Sequence, residues 1–342
     1  MSTVFVGLSG GVDSAVSAAL LQQHGHSVVG AFIKIWQPEF TECTWREDRL
    51  DAMRVAAYLG VPFREIDLSQ EYKNEVVESM LADYQKGITP NPDILCNQRI
   101  KFGYFAKWAR KEGADIVATG HYARIVEKDG IFELHRGNDT AKDQSYFLYR
   151  LTEEDLAHTL FPVGSYTKNQ VRALARRYAL PVAEKRDSQG LCFVGDISLP
   201  DFLSRYIPLR TGAVVDLYGN TIGEHQGTAL YTIGQRHGLT VHRQEPHYVV
   251  AIEPKTNTLT VSSSKDDAAR ETAMLTDVHW IHGAPSFPHT VQAQARYRER
   301  SVAAHVVSNT KVTFLKPHIA APGQSLVVYE GEQCLGGGII AN

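Results

Sequence analysis

Two cysteines, an aspartate and a glycine-rich loop supply the residue types from which a reaction could be built. The stretch "TPNPDILCNQRIKFG" (89–103) puts Pro92 at the first position of a helix after an Asn91 cap, where a missing N–H costs nothing. Asp93 and Cys96 then stand three residues apart on one helical face. A first-turn cysteine gains thiolate character from the helix dipole, whereas a nearby carboxylate opposes its ionisation. That conflict argues against a simple thiolate–carboxylate pair. It fits a division in which Asp93 serves a substrate proton and Cys96 acts on sulfur; a buried cysteine behind a helix cap is the alternative reading of the same residues. Cys192 lies in "EKRDSQGLCFVGD" (184–196), after a polar loop and near Lys185 and Arg186, a setting for an exposed and activated thiol. A core-facing cysteine between Leu191 and Phe193 is its alternative.

The loop is Ser9-Gly10-Gly11-Val12-Asp13-Ser14, inside "VFVGLSGGVDSAVSAALLQQHG" (4–25). A glycine-rich turn between a strand and a helix is a phosphate cradle: the glycines let backbone N–H groups approach an anion, and the helix N-terminus adds partial positive charge. There is no Gly-Lys-Ser/Thr, so this is not the loop of kinases and GTPases. The Ser9 and Ser14 hydroxyls can donate to phosphate oxygens. Asp13 would repel phosphate unless a cation lay between, which assigns it to Mg²⁺ or to helix capping.

These residues need a scaffold that brings them together. The N-terminal third alternates strand and helix: strands at "TVFVGLS", "SVVGAFIKIW", "FREIDL" and "ADIVATGH", helices over 12–24, 46–59, 69–86 and 99–112. That alternation predicts a parallel sheet covered by helices, with ligands at the carboxyl ends of the strands, where Ser9–Ser14 and Thr119–His121 fall. Residues 151–180 read as helical. After Pro200 short β-rich runs take over, and beyond about residue 270 an all-β pattern fits a small barrel. The expected fold class is α/β: a parallel-sheet nucleotide domain with a helical extension over 1–199, a β-rich domain over 200–267 and a C-terminal β-barrel over 268–342.

The chain has 342 residues, enough for two or three domains, with 43% hydrophobic and 21% charged residues. No apolar run approaches the length of a membrane span, no export signal opens the chain, and a cytoplasmic location without membrane association is expected. Four scattered cysteines, Cys43, Cys96, Cys192 and Cys334, are too few for a disulfide scaffold, and with no CxxC a structural zinc site is not expected. Net charge is −3, which excludes a globally basic nucleic-acid binder. Local basic stretches remain: five Lys/Arg against one acid over 296–316, and four Lys/Arg with no acid over 167–180. They are either polyanion-attracting surfaces or ordinary solvated faces. In "QARYRER" strand alternation would put Arg296, Arg298 and Arg300 on one face; contact by both Arg296 and Tyr297 with one ligand requires the strand to end or bend there.

SGGVDS resembles the signature of the PP-loop ATP pyrophosphatases, which cleave ATP to AMP and pyrophosphate while adenylating a carbonyl oxygen. NPDxxCN, TGHYAR (119–124), KDQSYFL (142–148), DSQGLCF (187–193), YTIGQRHGL (231–239) and CLGGGII (334–340) occur in order, and together resemble the bacterial tRNA-specific 2-thiouridylase family over essentially the whole chain. One departure is Ile33, where the family commonly has Met.

The resemblance implies that the C2 oxygen of the tRNA wobble uridine is exchanged for sulfur. It places ATP on Gly7, Leu8, Ser9, Gly10, Gly11, Val12, Asp13 and Ser14, with Ile33 beside the base and Gly120 near the nucleotide, and implies Mg²⁺ with the ATP. It implies that Asn91, Pro92 and Asp93 meet the target base, with Asp93 assisting proton movement. Cys192 would carry a persulfide received from a donor protein, and Cys96 would release the sulfur, ending as a Cys96–Cys192 disulfide. His121, Lys142, Asp143, Gln144, Arg296, Tyr297 and Gln324 would face tRNA, of the Lys, Glu and Gln isoacceptors. Competing readings are another PP-loop enzyme with a different acceptor, such as 4-thiouridine synthesis or an amide-forming synthetase, and a non-catalytic RNA-binding protein with a relict nucleotide site. An amide synthetase has no use for the cysteine pair, and the intact loop argues against a relict.

Overall fold

The protein is described from a computed structural model covering residues 1–40, 45–186, 197–241 and 245–341. Cys43 and Cys192 lie outside the described residues. Along the first half run β1 (Thr3–Gly7), α1 (Val12–Gln23), β2 (Ser27–Lys34), α2 (Trp45–Leu59), β3 (Phe63–Asp67), α3 (Ser69–Tyr72), α4 (Glu78–Gln85), α5 (Pro92–Leu95), α6 (Ala106–Lys111), β4 (Ile116–Ala118), β5 (Ala123–Lys128), β6 (Ile131–Arg136), α7 (Glu153–Ala157), β7 (Thr159–Leu160) and α8 (Lys168–Arg177). The chain divides into two compact units. The first comprises Met1–Val76, Asp93–Ile197 and Glu332–Leu335; the second comprises Val77–Pro92, Ser198–Gly331 and Gly336–Asn342.

In the first unit β1, β2, β3, β4 and β7 form a wholly parallel sheet in the order β3-β2-β1-β4-β7. The strand order reverses between β1 and β4, which makes the carboxyl ends of those two strands the place where a ligand fits. The apolar run Val4–Val6 is fully buried because helices cover both faces of the strand. Its amphipathic-looking successor α1 is buried on nearly every side, since it packs against the sheet, α2 and α8 together. Val16, Ala18 and Leu20 anchor that core, and each fully buried Val or Leu side chain contributes about 1.5–3 kcal/mol.

The structure departs from the sequence reading at four places. The helix expected at 99–112 starts at Pro92 and reaches Lys111 through a wide-turned π segment, Cys96–Phe105. Residues 151–180 are not one helical stretch: Thr159 and Leu160 add a strand beside β4, between the separate helices α7 and α8, each opened by a Thr capping box. The hairpin β5–β6 was invisible in the helix-strand alternation, and the 69–86 helix is interrupted by a π turn at Lys73–Val77.

The second unit holds α9 (Leu199–Ser204) and the strands β8 (Gly212–Val215), β9 (Thr221–His225), β10 (Thr240–Val241), β11 (Tyr248–Glu253), β12 (Thr258–Ser262), β13 (Arg270–Trp280), β14 (His289–Gln294), β15 (Val302–Ser308), β16 (Lys311–His318), β17 (Ser325–Glu330) and β18 (Gln333–Ile340), the last beginning in the first unit. β8–β12 make a mixed sheet ordered β10-β9-β8-β12-β11 around Val214, Val249, Leu259 and Val261. β13–β18 run in the order β13-β16-β15-β14-β17-β18 and close through β13–β18 pairing, the barrel that the C-terminal β pattern predicts.

Candidate functional site

At the end of β1 the chain folds into the expected cradle. Ser9 N–H donates to Ser14 Oγ at 3.2 Å, and Ser14 Oγ donates to the Gly11 carbonyl at 3.1 Å, so the second serine closes the loop on itself. Gly10 has φ +73°, a left-handed conformation, and the Asp48 backbone lies where a Cβ would be. Gly11 is the N-cap of α1 and provides no side-chain acceptor, whereas α7 and α8 are capped by threonines. Among the described residues the amides of Gly11, Val12 and Asp13 meet no acceptor. Unpaired amides at a helix N-terminus bind anions.

The resemblance-derived nucleotide residues converge here. A Cβ added to Gly7 would come within 3.9 Å of the Ile33 side chain and 3.8 Å of Thr119. One added to Gly120 would come within 2.8 Å of both Asp13 C and Ser14 N, so the Thr119-Gly120-His121 turn rests directly on the first turn of α1. Gly120→Ala is expected to push that turn off the cradle, costing about 1–3 kcal/mol of stability through overpacking and weakening ATP binding more than the melting temperature suggests. Calorimetric titration with ATP alongside thermal melts checks it; unchanged affinity would detach Gly120 from the nucleotide site.

Asp13 is not a cap. Its carboxylate accepts from Lys168 Nζ at 2.7 and 2.9 Å and from Tyr122 Oη at 2.8 Å. The capping alternative for Asp13 is therefore overturned: the residue sits within the first turn, and its side chain points across to α8. Tyr122 is itself held by Gln144, whose backbone N–H donates to the Tyr122 carbonyl at 2.8 Å while its Oε1 accepts from Tyr122 N–H at 3.0 Å. Asp143 accepts from Gly137 N–H, Ser145 N–H and Arg136 Nη1 and is almost wholly covered, so it organises this turn internally. Lys142 is half-buried beside it.

Asp93, half-buried, and Cys96, 6% exposed, lie on the helix that starts at Pro92. Burial pushes the Asp93 carboxyl above the usual carboxylate range, opposed by the positive charge of Lys101. Lys101 Nζ also lies 3.5 Å from His121 Nε2, while His121 Nδ1 is 2.7 Å from Thr119 Oγ1. His121 is only 7% exposed, packed between Phe102 and Phe161. Burial, then the Lys101 charge, hold its imidazole neutral by lowering its pKa well below the ordinary value. Lys185, read as an activator of Cys192, has other partners: its ammonium binds Asp48 at 2.8 Å and Asp51 at 2.7 Å. The setting of Cys192 itself lies outside the described residues.

In the second unit, β14 ends at Gln294 and the chain turns, with Arg298 at φ +61°. The arginine stripe expected from strand alternation does not form, and Arg296 and Tyr297 stand at a strand end, as contact by both requires. Arg296 Nη2 donates to the Ile233 carbonyl, and the Arg298 guanidinium lies 5.2 Å from the Tyr297 ring centre. Gln324 Nε2 donates to the carbonyls of Thr89 at 2.8 Å and Pro90 at 3.2 Å, gripping the backbone just before Asn91. A cleft of about 670 Å³ opens here, lined by Lys86, Thr89, Thr232, Lys255 and Pro322 among others. Lys168, Tyr122 and Lys101 were missed by sequence reasoning. Tyr122 was visible inside TGHYAR and Lys168 inside the basic 167–180 stretch, but nothing local linked either to Asp13.

Residues 2–196 match the family described as tRNA methyl transferase HUP domain, 200–263 the tRNA methyl transferase PRC-barrel domain and 270–340 the aminomethyltransferase beta-barrel domain. The chain is 44% identical over 358 residues to the tRNA-specific 2-thiouridylase MnmA of Nitrosomonas eutropha, covering 100% of this chain and 99% of that one. It is 42% identical over 357 residues to the protein of the same name from Xanthomonas axonopodis pv. citri, covering 100% and 94%. A 4-thiouridine synthetase solved with RNA and ATP is a distant likeness, at 17% identity and TM-score 0.37 over 60% of this chain and 50% of that one.

Proposed function

The chain belongs to the tRNA-specific 2-thiouridylase family, and on that premise we propose the following reaction and assignment of residues. The protein is an ATP-dependent tRNA sulfurtransferase. One observation carries the assignment of the site. The Thr119-Gly120-His121 turn touches the cradle through Gly120 and the Asp93–Cys96 helix through the His121–Lys101 contact, so activation and sulfur chemistry share one turn.

ATP lies on Gly7–Ser14, with Ile33 and Gly120 at its base and ribose side. The wobble uridine is turned out of its unpaired loop, which costs least where no base pair is broken. Its C2 oxygen attacks the α-phosphorus; the bond to the β-phosphate breaks and pyrophosphate leaves with the electron pair. Asp93 takes the N3 proton, giving a neutral O-adenylyl intermediate. The terminal sulfur of a Cys192 persulfide attacks C2 and AMP departs, a far better leaving group than oxide. The Cys96 thiolate then attacks Sγ of Cys192. The bond between Cys192 and the transferred sulfur breaks, the electron pair stays on that sulfur, and Asp93 returns the proton to N3. The products are 2-thiouridine and a Cys96–Cys192 disulfide.

Asp13, once its carboxylate is given up by Lys168, and the Ser9 and Ser14 hydroxyls would hold a divalent cation, since Mg²⁺ commonly takes one carboxylate and completes its shell from substrate and water. It would neutralise phosphate charge there. The sulfur arrives from a donor protein carrying a persulfide, and the tRNAs are the Lys, Glu and Gln isoacceptors. The reaction is placed in the cytoplasm; among the described residues no helix is long and apolar enough to cross a membrane. The three-domain reading 1–199, 200–267 and 268–342 is supported by the three matched segments. Asn91 and Pro92 meet the base, His121, Lys142, Asp143 and Gln144 shape the surface that receives the loop, and Arg296, Tyr297 and Gln324 serve the tRNA from the second unit.

Incubating the protein with unmodified tRNA, ATP and a persulfide source should yield 2-thiouridine on nucleoside mass spectrometry. A methylated nucleoside, or ATP hydrolysis without thiolation, would overturn the reading. Arg296→Ala should weaken tRNA binding and lower the salt slope by about one unit, leaving tRNA-free ATP binding unaltered. Filter-binding titrations across salt decide it. An unchanged slope would reduce Arg296 to its tie with the Ile233 carbonyl.

A further inference from the structure

We infer that Lys168 is a pyrophosphate-binding residue of the ATP site, held ready over the cradle by Asp13 and handed to the β- and γ-phosphates when the nucleotide arrives. This rests on the reading of the cradle as an ATP site. The glycine-rich loop lacks the lysine that phosphate loops of the Gly-Lys-Ser/Thr type carry within themselves. The fold provides an ammonium from elsewhere in the chain: Lys168, the first residue of α8, is 155 positions from Asp13 and bonds both of its carboxylate oxygens at 2.7 and 2.9 Å.

Three features aim this lysine at a ligand as well as at its partner. The Asp13 side chain that holds it springs from the first turn of α1, whose Gly11, Val12 and Asp13 amides have no acceptor among the described residues. The Lys168 side chain is 11% exposed, while that of Asp13 is 30% exposed, so the pair is open on the side of the carboxylate, which belongs to the first turn of α1. Both ends of the residue are held as well: the ammonium lies 5.9 Å from the Tyr122 ring centre, and the backbone N–H of Lys168 donates to Asp139 Oδ2 at 2.8 Å.

A tie between α1 and α8 alone would be met by any apolar pair at lower desolvation cost. An ammonium with a carboxylate shared by Tyr122 is suited to exchange. Once phosphate oxygens compete, Lys168 gains a polyanion, and Asp13 keeps the Tyr122 hydroxyl and is released toward a cation. As the α–β bond breaks, negative charge builds on the leaving pyrophosphate, and Lys168 stabilises it there.

The test is ligand binding to the intact protein without tRNA. By calorimetric titration, Lys168→Gln should weaken ATP and inorganic pyrophosphate on the order of 10- to 100-fold, the value of a charge-assisted contact, while AMP binds within about twofold of wild type. Lys168→Arg should restore part of the pyrophosphate affinity. Equal losses for ATP and AMP, accompanied by a lower Tm, would identify a structural ion pair and overturn the proposal. If Lys168→Gln leaves Asp13 without its cationic partner and does not fold, the comparison is Asp13→Asn against Asp13→Asn/Lys168→Gln. Whatever the Asp13 change itself costs, the double variant should bind pyrophosphate more weakly than the single one; matching affinities overturn the proposal. Wild-type protein that binds neither ATP nor pyrophosphate would instead remove the nucleotide reading itself.

Discussion

Cys192→Ser protein is expected to release pyrophosphate from ATP in the presence of tRNA at close to the wild-type rate and to form no detectable 2-thiouridine. The separation follows from the division of the reaction. In the proposed reaction adenylation needs the cradle, Asp93 and the turned-out base, none of which involves the Cys192 sulfur. Only the second half needs a persulfide, and a serine hydroxyl cannot carry one. Cys96→Ser should fail differently. The persulfide sulfur still attacks C2, but with no thiolate to break the bond to Cys192 the tRNA remains joined to the enzyme through a C2–S–S–Cys link. That adduct is visible as a shifted band on a non-reducing denaturing gel and disappears on adding thiol. Loss of pyrophosphate release in a well-folded Cys192→Ser protein would contradict the division; absence of the adduct in Cys96→Ser would take the resolving role from Cys96.

The second large effect is at Asp93. Asp93→Asn should slow adenylation by about 10²- to 10⁴-fold, the usual range for a positioned acid–base group, with ATP binding unchanged because the cradle is intact. The pH dependence has a definite sign. Burial raises the Asp93 pKa, with Lys101 opposing. A base works only after losing its proton, so the adenylation rate should rise with pH through that raised pKa, an acid limb above the ordinary carboxylate range. Lys101→Met removes the opposing charge and should move the limb to still higher pH. The same shift bears on folding. The raised folded-state pKa favours the protonated form, so the contribution of Asp93 to stability is full below the unfolded-state pKa and is lost as pH rises through the folded one. Rapid-quench measurement of pyrophosphate release across pH tests both variants. A limb that stays in place in Lys101→Met would separate Asp93 from the proton transfer.

Much of the site was legible because its parts are local. A strand, two glycines, two serines and an acid in six consecutive positions can serve few purposes other than an anion cradle, and Gly10 and Gly11 act through backbone geometry that no distant residue needs to complete. Pro92 likewise starts its helix by its own fixed φ. The parallel sheet followed from alternation, and the barrel from short strands with turn residues. Less local features were misread. Residues 151–180 are rich in helix formers, yet Thr159 and Leu160 are captured as a strand because the β4 edge offers unpaired hydrogen-bonding groups. The arginines at 296, 298 and 300 alternate as a strand would, and the strand end that contact by both Arg296 and Tyr297 requires is present, the strand stopping at Gln294.

The sequence by itself determined the chemistry of each short segment, because backbone conformation, capping and side-chain type act over a few residues. Only the tertiary structure decided which charges meet. Asp13 read as a cap or a cation ligand and proved to hold Lys168 and Tyr122, 155 and 109 positions away. Lys185 binds Asp48 and Asp51, 137 and 134 positions away, partners that nothing in its own segment announces. A long cationic side chain reaches whichever carboxylate the fold presents in a partly desolvated place, where Coulomb attraction is less screened than in water. That choice depends on how α1, α2 and α8 pack on one sheet, which no spacing within a segment records.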